Sequence, residues 1–139
     1  MKLIPIKENS AAPTTSCAEA HEQTLAYYRS IGYHEPWISY YLQAATEIVG
    51  ICSFKGKPSK DNGVEIAYWT FEPYQGQGYG SMMCALLLEI AQAKGGITIF
   101  AQTMPEINAS TAILTKNGFQ HTGSAIDSDT GEVWEWVRQ

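Results

Sequence analysis

Three glycines at alternate positions form the part of this sequence best suited to chemistry. Gly76, Gly78 and Gly80 lie in the run YQGQGYGS, residues 74–81, between a strand-like segment and a helix-like segment. A turn without side chains that leads into a helix can present backbone N–H groups to an anion at the positive end of the helix dipole. The spacing therefore indicates a phosphate-binding loop, with a turn that binds no ligand as the alternative.

The familiar nucleotide-binding loops do not fit this run. A Walker A loop ends in Gly-Lys-Ser/Thr, whereas Gly80 is followed directly by Ser81. A dinucleotide fingerprint needs GxGxxG and an acidic residue about 20 positions later. Here the glycines are spaced GxGxG, and residues 98–101 read TIFA. A nucleotide-binding domain is therefore disfavoured.

Composition sets the outer limits of the interpretation. A length of 139 residues predicts a single domain spanning 1–139, and 45% hydrophobic against 17% charged residues predicts a globular fold. A net charge of −5 argues against nucleic acid as a partner. Three scattered cysteines suggest neither a disulfide framework nor a metal site. Without a signal-like start or an apolar run long enough to cross a bilayer, the prediction is a cytoplasmic protein with no membrane partner.

The hydrophobic pattern predicts the element order β, α, β, β, β, α, β, α, β, β, which favours a mixed sheet with helices on its faces. A capping-box sequence, SCAE at 16–19, predicts the start of the first helix, and Gly32 its end. The apolar run at 97–103 indicates a strand buried on both faces. The predicted strands are 3–6, 37–43, 48–54, 64–71, 97–103, 119–126 and 132–138, and the later helices are 81–94 and the segment between Asn108 and Gly118.

The glycine run and its flanks together resemble a known family. Gln75, Gly78 and Gly80 match the Q/R-x-x-G-x-G/A signature of the GNAT superfamily of acyl-CoA N-acyltransferases. Three further segments, EIAYW at 65–69, NAS at 108–110 and KNGF at 116–119, resemble the branch that includes ribosomal-protein N-terminal acetyltransferases. The resemblance covers residues 37–138, and the first 36 residues match by element order only.

This resemblance implies an α/β (α+β) fold, with a mixed, mostly antiparallel sheet flanked by helices. It implies that acetyl-CoA, as co-substrate and without a metal, lies between the strands at 64–71 and 97–103. The pyrophosphate would rest on the glycine loop and the pantetheine arm along the end of the earlier strand. For Asn108, hydrogen bonding to pantetheine and capping of the following helix stay open as alternatives. The implied cofactor-binding residues are Trp69, Thr70, Phe71, Gln75, Gly76, Gln77, Gly78, Tyr79, Gly80, Ser81 and Asn108.

Acyl transfer to an amine needs a base for the amine and an acid for the departing thiolate. Glu65 is the preferred base, acting through water, and Glu72 and Glu106 are weaker candidates. Ser110 matches a serine proposed as the acid in the ribosomal-protein branch, although its hydroxyl could instead satisfy the start of the helix. The tyrosine acid of many family members is absent, because Leu114 stands at its place. The histidines at 21, 34 and 121 are expected at the surface.

The acceptor side of the reaction is open. An aromatic-rich segment upstream of residue 42 is assigned mainly to the core, with the option that some rings bind the acceptor, as a cation over a ring face for example. The short N-terminal region leaves room for one helix instead of two, and a homodimer that covers the open site is one option. The prediction is an N-acetyltransferase acting on a small-molecule or peptide primary amine; the alternative is a non-catalytic acyl-CoA-binding sensor.

Overall fold

The computed structural model describes residues 1–138, in which seven strands form one mixed sheet of order β1-β2-β3-β4-β5-β7-β6. Neighbouring strands are antiparallel except β4 and β5, which are parallel. The predicted fold class and element order are confirmed. The strands are β1 Lys2–Pro5, β2 Ser39–Ala44, β3 Glu47–Phe54, β4 Gly63–Thr70, β5 Thr98–Thr103, β6 Gln120–Asp127 and β7 Gly131–Arg138, and the helices are α1 Ala18–Ile31, α2 Tyr79–Lys94 and α3 Ala109–Lys116.

The helices cover both faces of the sheet because side chains alternate between the faces along each strand. Helix α2 lies over β3 and β4 and packs against α3, and α1 covers the opposite face, where its His21 contacts Tyr41 of β2. The apolar positions of α2 recur at three- and four-residue spacing and bury one side of the helix in the core. Those buried α2 residues are Met83, Cys84, Leu87, Leu88 and Ala91.

Three sequence-based details are wrong. The capping box predicted at 16–19 does not form: a 3₁₀ turn, Thr15–Cys17, leads directly into α1, whose N-cap Cys17 makes no side-chain cap hydrogen bond. Helix α2 begins at Tyr79, two residues before its predicted start. Gly78 of the glycine loop is its N-cap, so the last residues of the loop already belong to the first turn of the helix. Strand β5 is buried on one face and half-buried on the other, since its residues alternate between these two classes.

The N-terminal segment folds back over α1 and buries a histidine that was expected at the surface. The imidazole of His21 is 3% exposed, with Nδ1 2.7 Å from the Tyr41 hydroxyl and Nε2 3.1 Å from the Ser10 carbonyl oxygen. The core assignment of the upstream aromatic residues holds for Tyr28, Tyr40 and Tyr41, which are all buried. A single α-helix lies between β1 and β2, as the short N-terminal region predicts.

Strands β4 and β5 pair over only three positions, and this positions the site. The parallel ladder joins Gly63, Val64 and Glu65 to Thr98, Ile99 and Phe100, and it ends at the Glu65–Phe100 pair. Beyond Glu65, β4 continues along β3 to Thr70, while β5 continues along β7 to Thr103. The two strands therefore diverge from Glu65 onward, and the later half of β4 borders an opening in the sheet.

Candidate active site

The glycine loop leads into α2 with its first backbone N–H groups unpaired inside the helix. The N-cap Gly78 has φ +87° and makes no side-chain cap hydrogen bond. The N–H of Met82 is the first to reach back, donating to the carbonyl oxygen of Gly78 at 3.1 Å. The N–H groups of Tyr79, Gly80 and Ser81 therefore face outward from the positive end of a 16-residue helix. Such a helix start favours an anion.

The three glycines of the loop serve two different purposes. Gly76 and Gly78 have φ of +80° and +87°, and a Cβ placed on either would meet nothing within 4 Å. These two glycines permit a left-handed backbone and leave open space beside it. A Cβ on Gly80 would lie 2.8 Å from Cδ1 of Ile113. Gly80 therefore lies close against α3, where the end of the Ile113 side chain would have to move aside for an added Cβ.

Two side chains fix the loop to its surroundings. The Gln75 amide nitrogen donates to the Thr70 carbonyl oxygen at 3.1 Å, which ties the start of the loop to the end of β4. The Asn117 amide nitrogen donates to the Ser81 hydroxyl at 3.2 Å, which ties the first turn of α2 to the end of α3. The loop is thus held in a set conformation by both neighbouring elements.

The hydrogen-bond pattern of β4 shows which main-chain groups face the opening. The carbonyl oxygen of Glu65 accepts from Lys55, and the N–H of Phe71 donates to the carbonyl oxygen of Val49. Because alternate residues of a strand turn their main-chain groups to the same neighbour, the odd-numbered positions face β3. Tyr68 and Thr70 therefore direct their main-chain groups toward the opening, while those of Phe71 are already engaged.

Most of the predicted cofactor residues line one groove of about 550 Å³ between β4, the glycine loop and α3. Phe71, Gln77 and Asn108 are not among its lining residues. The sequence reasoning missed Tyr68, although its position two residues before Thr70 could have indicated it, and also the groove-facing side of α3. The lining consists of Tyr68, Trp69, Thr70, Gln75, Gly76, Gly78, Tyr79, Gly80, Ser81, Ala109, Ser110, Ala112 and Ile113.

The two predicted catalytic residues line a second cavity, of about 360 Å³, between the diverging strands. Glu65 lies at its β4 wall, and its carboxylate pairs with the Lys55 ammonium, with Oε2 and Nζ 3.2 Å apart. Ser110, from the first turn of α3, lines both this cavity and the groove. Tyr68 also lines both, and burial raises the pKa of its phenol, so the hydroxyl stays protonated. The structure thus places the candidate base and acid beside the end of the groove.

The start of α3 is satisfied without Ser110. The side-chain oxygen of Asn108 accepts from the Thr111 N–H at 3.1 Å, and the Thr111 hydroxyl accepts from the Asn108 N–H at 2.9 Å. Together these bonds form a reciprocal capping box. The helix-cap interpretation of Asn108 is confirmed, and its amide nitrogen also donates to Glu106 at 3.3 Å. Ser110, which lines the cavity, takes no part in this capping box.

The remaining acid and base candidates contribute less. Leu114, at the place of the family's tyrosine, is buried at the cavity floor, so it supplies only apolar surface. Glu72 lies exposed in the 3₁₀ turn Glu72–Tyr74, and Glu106 is exposed beside Asn108. His121 is exposed, with its ring 4.6 Å from that of Trp134 and stacked at 5.1 Å on that of Trp136.

Burial limits the reactivity of the three cysteines. Cys17, Cys52 and Cys84 are all buried free thiols, and burial raises the pKa of Cys52 and that of Cys84, the latter to about 12. A protonated buried thiol is a poor nucleophile. Within residues 1–138, no group of three or more potential metal ligands comes together. In the same residues, no helix has the length and apolar character needed to span a membrane.

The fold and the groove define a class of protein, and the sequence agrees with it. The profile of the family described as "Acetyltransferase (GNAT) domain" matches residues 7–120. This chain belongs to the GNAT acetyltransferase family. No curated protein matches it at a significant level.

Solved structures of acetyltransferases share the fold. RimL, a ribosomal-protein alpha-N-acetyltransferase in complex with coenzyme A, superposes with a TM-score of 0.70 at 21% identity, over 88% of this chain and 71% of that chain. The microcin self-immunity acetyltransferase MccE, in complex with acetyl-CoA and AMP, gives 0.70 at 18% identity, over 96% and 77%. A ribosomal-protein-alanine N-acetyltransferase from Brucella melitensis gives 0.67 at 19%, over 87% and 77%. Identities this low establish a common fold and leave the acceptor open.

Proposed function

We propose that this protein is an N-acetyltransferase that moves an acetyl group from acetyl-CoA directly to a primary amine. The observation that carries the proposal is the continuity of the site. Eight of the eleven residues assigned to the cofactor from sequence line one groove, and Ser110 and Tyr68 join that groove to the cavity of Glu65. Family membership and neighbours that bind coenzyme A or acetyl-CoA support the same cofactor.

The residues present fit acetyl-CoA at this site. The outward N–H groups of Tyr79, Gly80 and Ser81 suit the pyrophosphate, and the open space beside Gly76 and Gly78 lets it approach the main chain. Tyr68 offers the pantetheine arm its main-chain groups and Thr70 its N–H, as an added strand would use them, while the Thr70 carbonyl oxygen already accepts from Gln75. Thr70 thus replaces Phe71 as the main-chain donor of this segment. Contacts from Gln77 and Asn108 stay predictions.

The thioester supplies an activated acyl carbon, and the protein supplies proton transfers at two atoms. We assign Glu65 as the base: its carboxylate takes a proton from the amine, directly or through one water, as the nitrogen bonds to the acyl carbon. The C–S bond then breaks, and the hydroxyl of Ser110 gives its proton to the departing sulfur. Ser110 regains a proton from solvent and Glu65 releases to solvent the proton that it took from the amine, so both groups return to their starting states. Positioned acids and bases typically contribute about 10²–10⁴-fold each. The raised pKa of the buried Cys52 thiol favours direct attack by the amine over an acyl-cysteine.

A non-catalytic acyl-CoA-binding sensor is the second candidate. One observation favours it: Leu114 is fully buried at the position of the family's acid tyrosine, so the cavity lacks that phenol. In this function the groove would bind acetyl-CoA as proposed, but no amine would be acetylated.

A thermal-shift series followed by a turnover assay tests both functions. Coenzyme A and acetyl-CoA should each raise Tm, and ATP and NAD should not; a ligand at 100 times its Kd adds about 2.7 kcal/mol to the free energy of unfolding. Release of free thiol from acetyl-CoA on addition of a primary amine then separates enzyme from sensor. Absence of a shift with either CoA species would refute the cofactor assignment and both functions.

Three further assignments belong to this proposal. We infer that residues 1–139 form one N-acetyltransferase domain, that the protein acts in the cytoplasm, and that its acceptor is a small molecule or a peptide. Neighbours named for ribosomal-protein acetylation and for spermidine acetylation show how widely acceptors vary on this fold. A homodimer stays a prediction, which light scattering of the purified protein would test.

A further inference from the structure

A third cavity, of about 340 Å³, lies between α1 and the strands β2, β3 and β4. We call it the neutral pocket, because its lining contains no charged side chain, although the chain has 14 acidic and 9 basic residues. Its lining consists of Ala20, Gln23, Thr24, Tyr27, Ser39, Ile51, Cys52, Ser53, Ala67, Tyr68 and Trp69.

The neutral pocket reaches the same segment of β4 as the other two cavities. It shares Trp69 with the cofactor groove and Ala67 with the cavity of Glu65, and Tyr68 lines all three. A molecule held in the neutral pocket therefore lies beside the place where the groove meets the candidate acid and base.

Two aromatic side chains give the neutral pocket its character. Tyr27 projects from α1 on the face that also carries Ala20, Gln23 and Thr24, as the helical spacing of these residues requires. Trp69 belongs to β4, and its ring makes an edge contact with that of Phe71 at 5.1 Å. Tyr27 is 37% exposed and Trp69 is 55% exposed, although both are large and mostly apolar. Exposed aromatic surface inside a concave site is typical of ligand binding.

The charge difference between the two adjoining cavities indicates which part of an acceptor would bind in each of them. The cavity of Glu65 is lined by Lys55, Glu65 and Asp127, so it can attract and deprotonate an ammonium group. The neutral pocket offers a cation only ring faces, which contribute about 0.5–1 kcal/mol at exposed sites, and no carboxylate to replace lost water. An apolar group has no charge to desolvate on entering the neutral pocket, and it gains burial of its apolar surface.

We propose that the neutral pocket binds an uncharged aromatic or apolar group of the acceptor, next to the amine that reaches Glu65. This inference rests on the proposed function and names its substrate class: a monoamine with an adjacent apolar or aromatic group, in preference to a polyamine. Tyr27 is a specificity-determining residue in this scheme, and it lies outside both the cofactor groove and the cavity of the acid and base.

Two primary amines of similar reach, 2-phenylethylamine and 1,4-diaminobutane, test the preference in the thiol-release assay. The full chain should show a kcat/KM at least tenfold higher for 2-phenylethylamine. Tyr27→Ala should lower that value about tenfold, mainly through KM, and change the value for 1,4-diaminobutane less than twofold. Tyr27→Phe should keep the preference, because the ring and not the hydroxyl makes the contact.

A negative charge introduced at the neutral pocket gives a second, independent test of the acceptor preference. Gln23→Glu, nearly isosteric, should raise kcat/KM for 1,4-diaminobutane up to about fivefold, as expected for one partly exposed ion pair. Ala26→Glu is the matched control, because it adds the same charge to an exposed position of α1 outside the lining. Equal or better turnover of 1,4-diaminobutane by the unaltered chain, or indifference to Tyr27→Ala, overturns the inference and leaves the proposed function standing. If neither CoA species shifts Tm, both fail together.

Discussion

The Lys55 ammonium and the Glu65 carboxylate form an ion pair, with Nζ and Oε2 3.2 Å apart, at the wall of the cavity that Ser110 also lines. Both side chains are partly exposed, at 41% for Lys55 and 21% for Glu65. An exposed pair of this kind contributes about 0–1 kcal/mol to stability. The pair orients the candidate base from the residue that follows β3, at the wall of the cavity.

Removing the carboxylate should affect chemistry and leave binding intact. We expect Glu65→Gln to lower kcat about 10²-fold or more, with an unchanged Kd for acetyl-CoA, because the base acts only on the amine. Lys55→Met should change kcat less than about tenfold, because it repositions the carboxylate without removing it. Steady-state kinetics and calorimetry measure both. Lys57→Met, on the same exposed loop, is the control, and a Glu65→Gln variant with full kcat would rule out this base.

Valine substitutions at the two ends of α2 separate the effect of backbone strain on stability from the effect of a side chain on CoA binding. Gly78 and Gly95 stand at the two ends of α2, with φ of +87° and +74° and nothing within 4 Å of an added Cβ. Valine should cost about 1–2 kcal/mol of backbone strain at Gly78, which is in the left-handed helical region, and more at Gly95, whose ψ of +147° lies in a region almost confined to glycine. Only Gly78→Val should weaken CoA binding, by at least about tenfold, because its side chain enters the space beside the outward N–H groups. Equal CoA affinities of the two variants in calorimetry would contradict the proposal that the glycine loop binds the pyrophosphate.

Substitution of Gly80 should have a different effect, because the space for a side chain at this position is limited by Ile113. Gly80→Ala should destabilise the protein by up to about 1 kcal/mol, because the terminal methyl of Ile113 can move aside and alanine itself favours the helix. Ile113→Val removes Cδ1, the atom that an added Cβ would meet at 2.8 Å. In a double-mutant cycle by chemical denaturation, Ile113→Val should recover part of the loss caused by Gly80→Ala. Strictly additive effects would show that the contact does not limit this position.

Sequence reasoning located the groove because its determinants are local. The spacing of Gln75, Gly78 and Gly80 reflects a turn and a helix start, and these depend on neighbouring residues alone. Aromatic and β-branched residues in the strand segments likewise predicted the sheet, since such side chains fit a pleated surface. The family's own motifs lie on the same segments, which is why eight of the cofactor residues meet in one groove.

What the sequence could not supply depends on contacts between distant segments. His21 was expected at the surface because its partners, Ser10 and Tyr41, lie in other elements of the chain. The neutral pocket joins residues of α1 to residues of three strands, so no single segment carries its pattern. The SCAE capping-box match at 16–19 failed because the chain enters α1 through a 3₁₀ turn, which local propensity does not distinguish from a capped start.

Asn108, the N-cap of α3, and Ser110, in its first turn, are two residues apart, and their substitutions should have different effects. Asn108→Ala removes the cap on the Thr111 N–H and should cost about 1 kcal/mol of stability, visible as a lower Tm. Ser110→Ala should leave Tm unchanged within error and lower kcat about 10²-fold, because Ser110 lines the cavity and its side chain takes no part in the capping box. A Ser110→Ala variant that loses Tm but keeps kcat would return this residue to a structural role.

The buried thiols distinguish direct transfer from an acyl-cysteine route. Burial raises the pKa of both Cys52 and Cys84, so at pH 8 both stay almost wholly protonated, and the thiolate is the reactive form. We expect a thiol reagent to label the native protein slowly and to count three thiols once the chain is unfolded in denaturant.

Incubation with acetyl-CoA in the absence of an amine should therefore leave the intact mass of the protein unchanged. Cys52 is the thiol to examine, since it lines the neutral pocket beside Tyr68. Cys52→Ala should retain kcat within about twofold, whereas Glu65→Gln should lose it, because only the carboxylate takes part in proton transfer. An acetylated protein that forms without an acceptor and passes its acetyl group to an amine added later would establish the two-step route and displace the direct one.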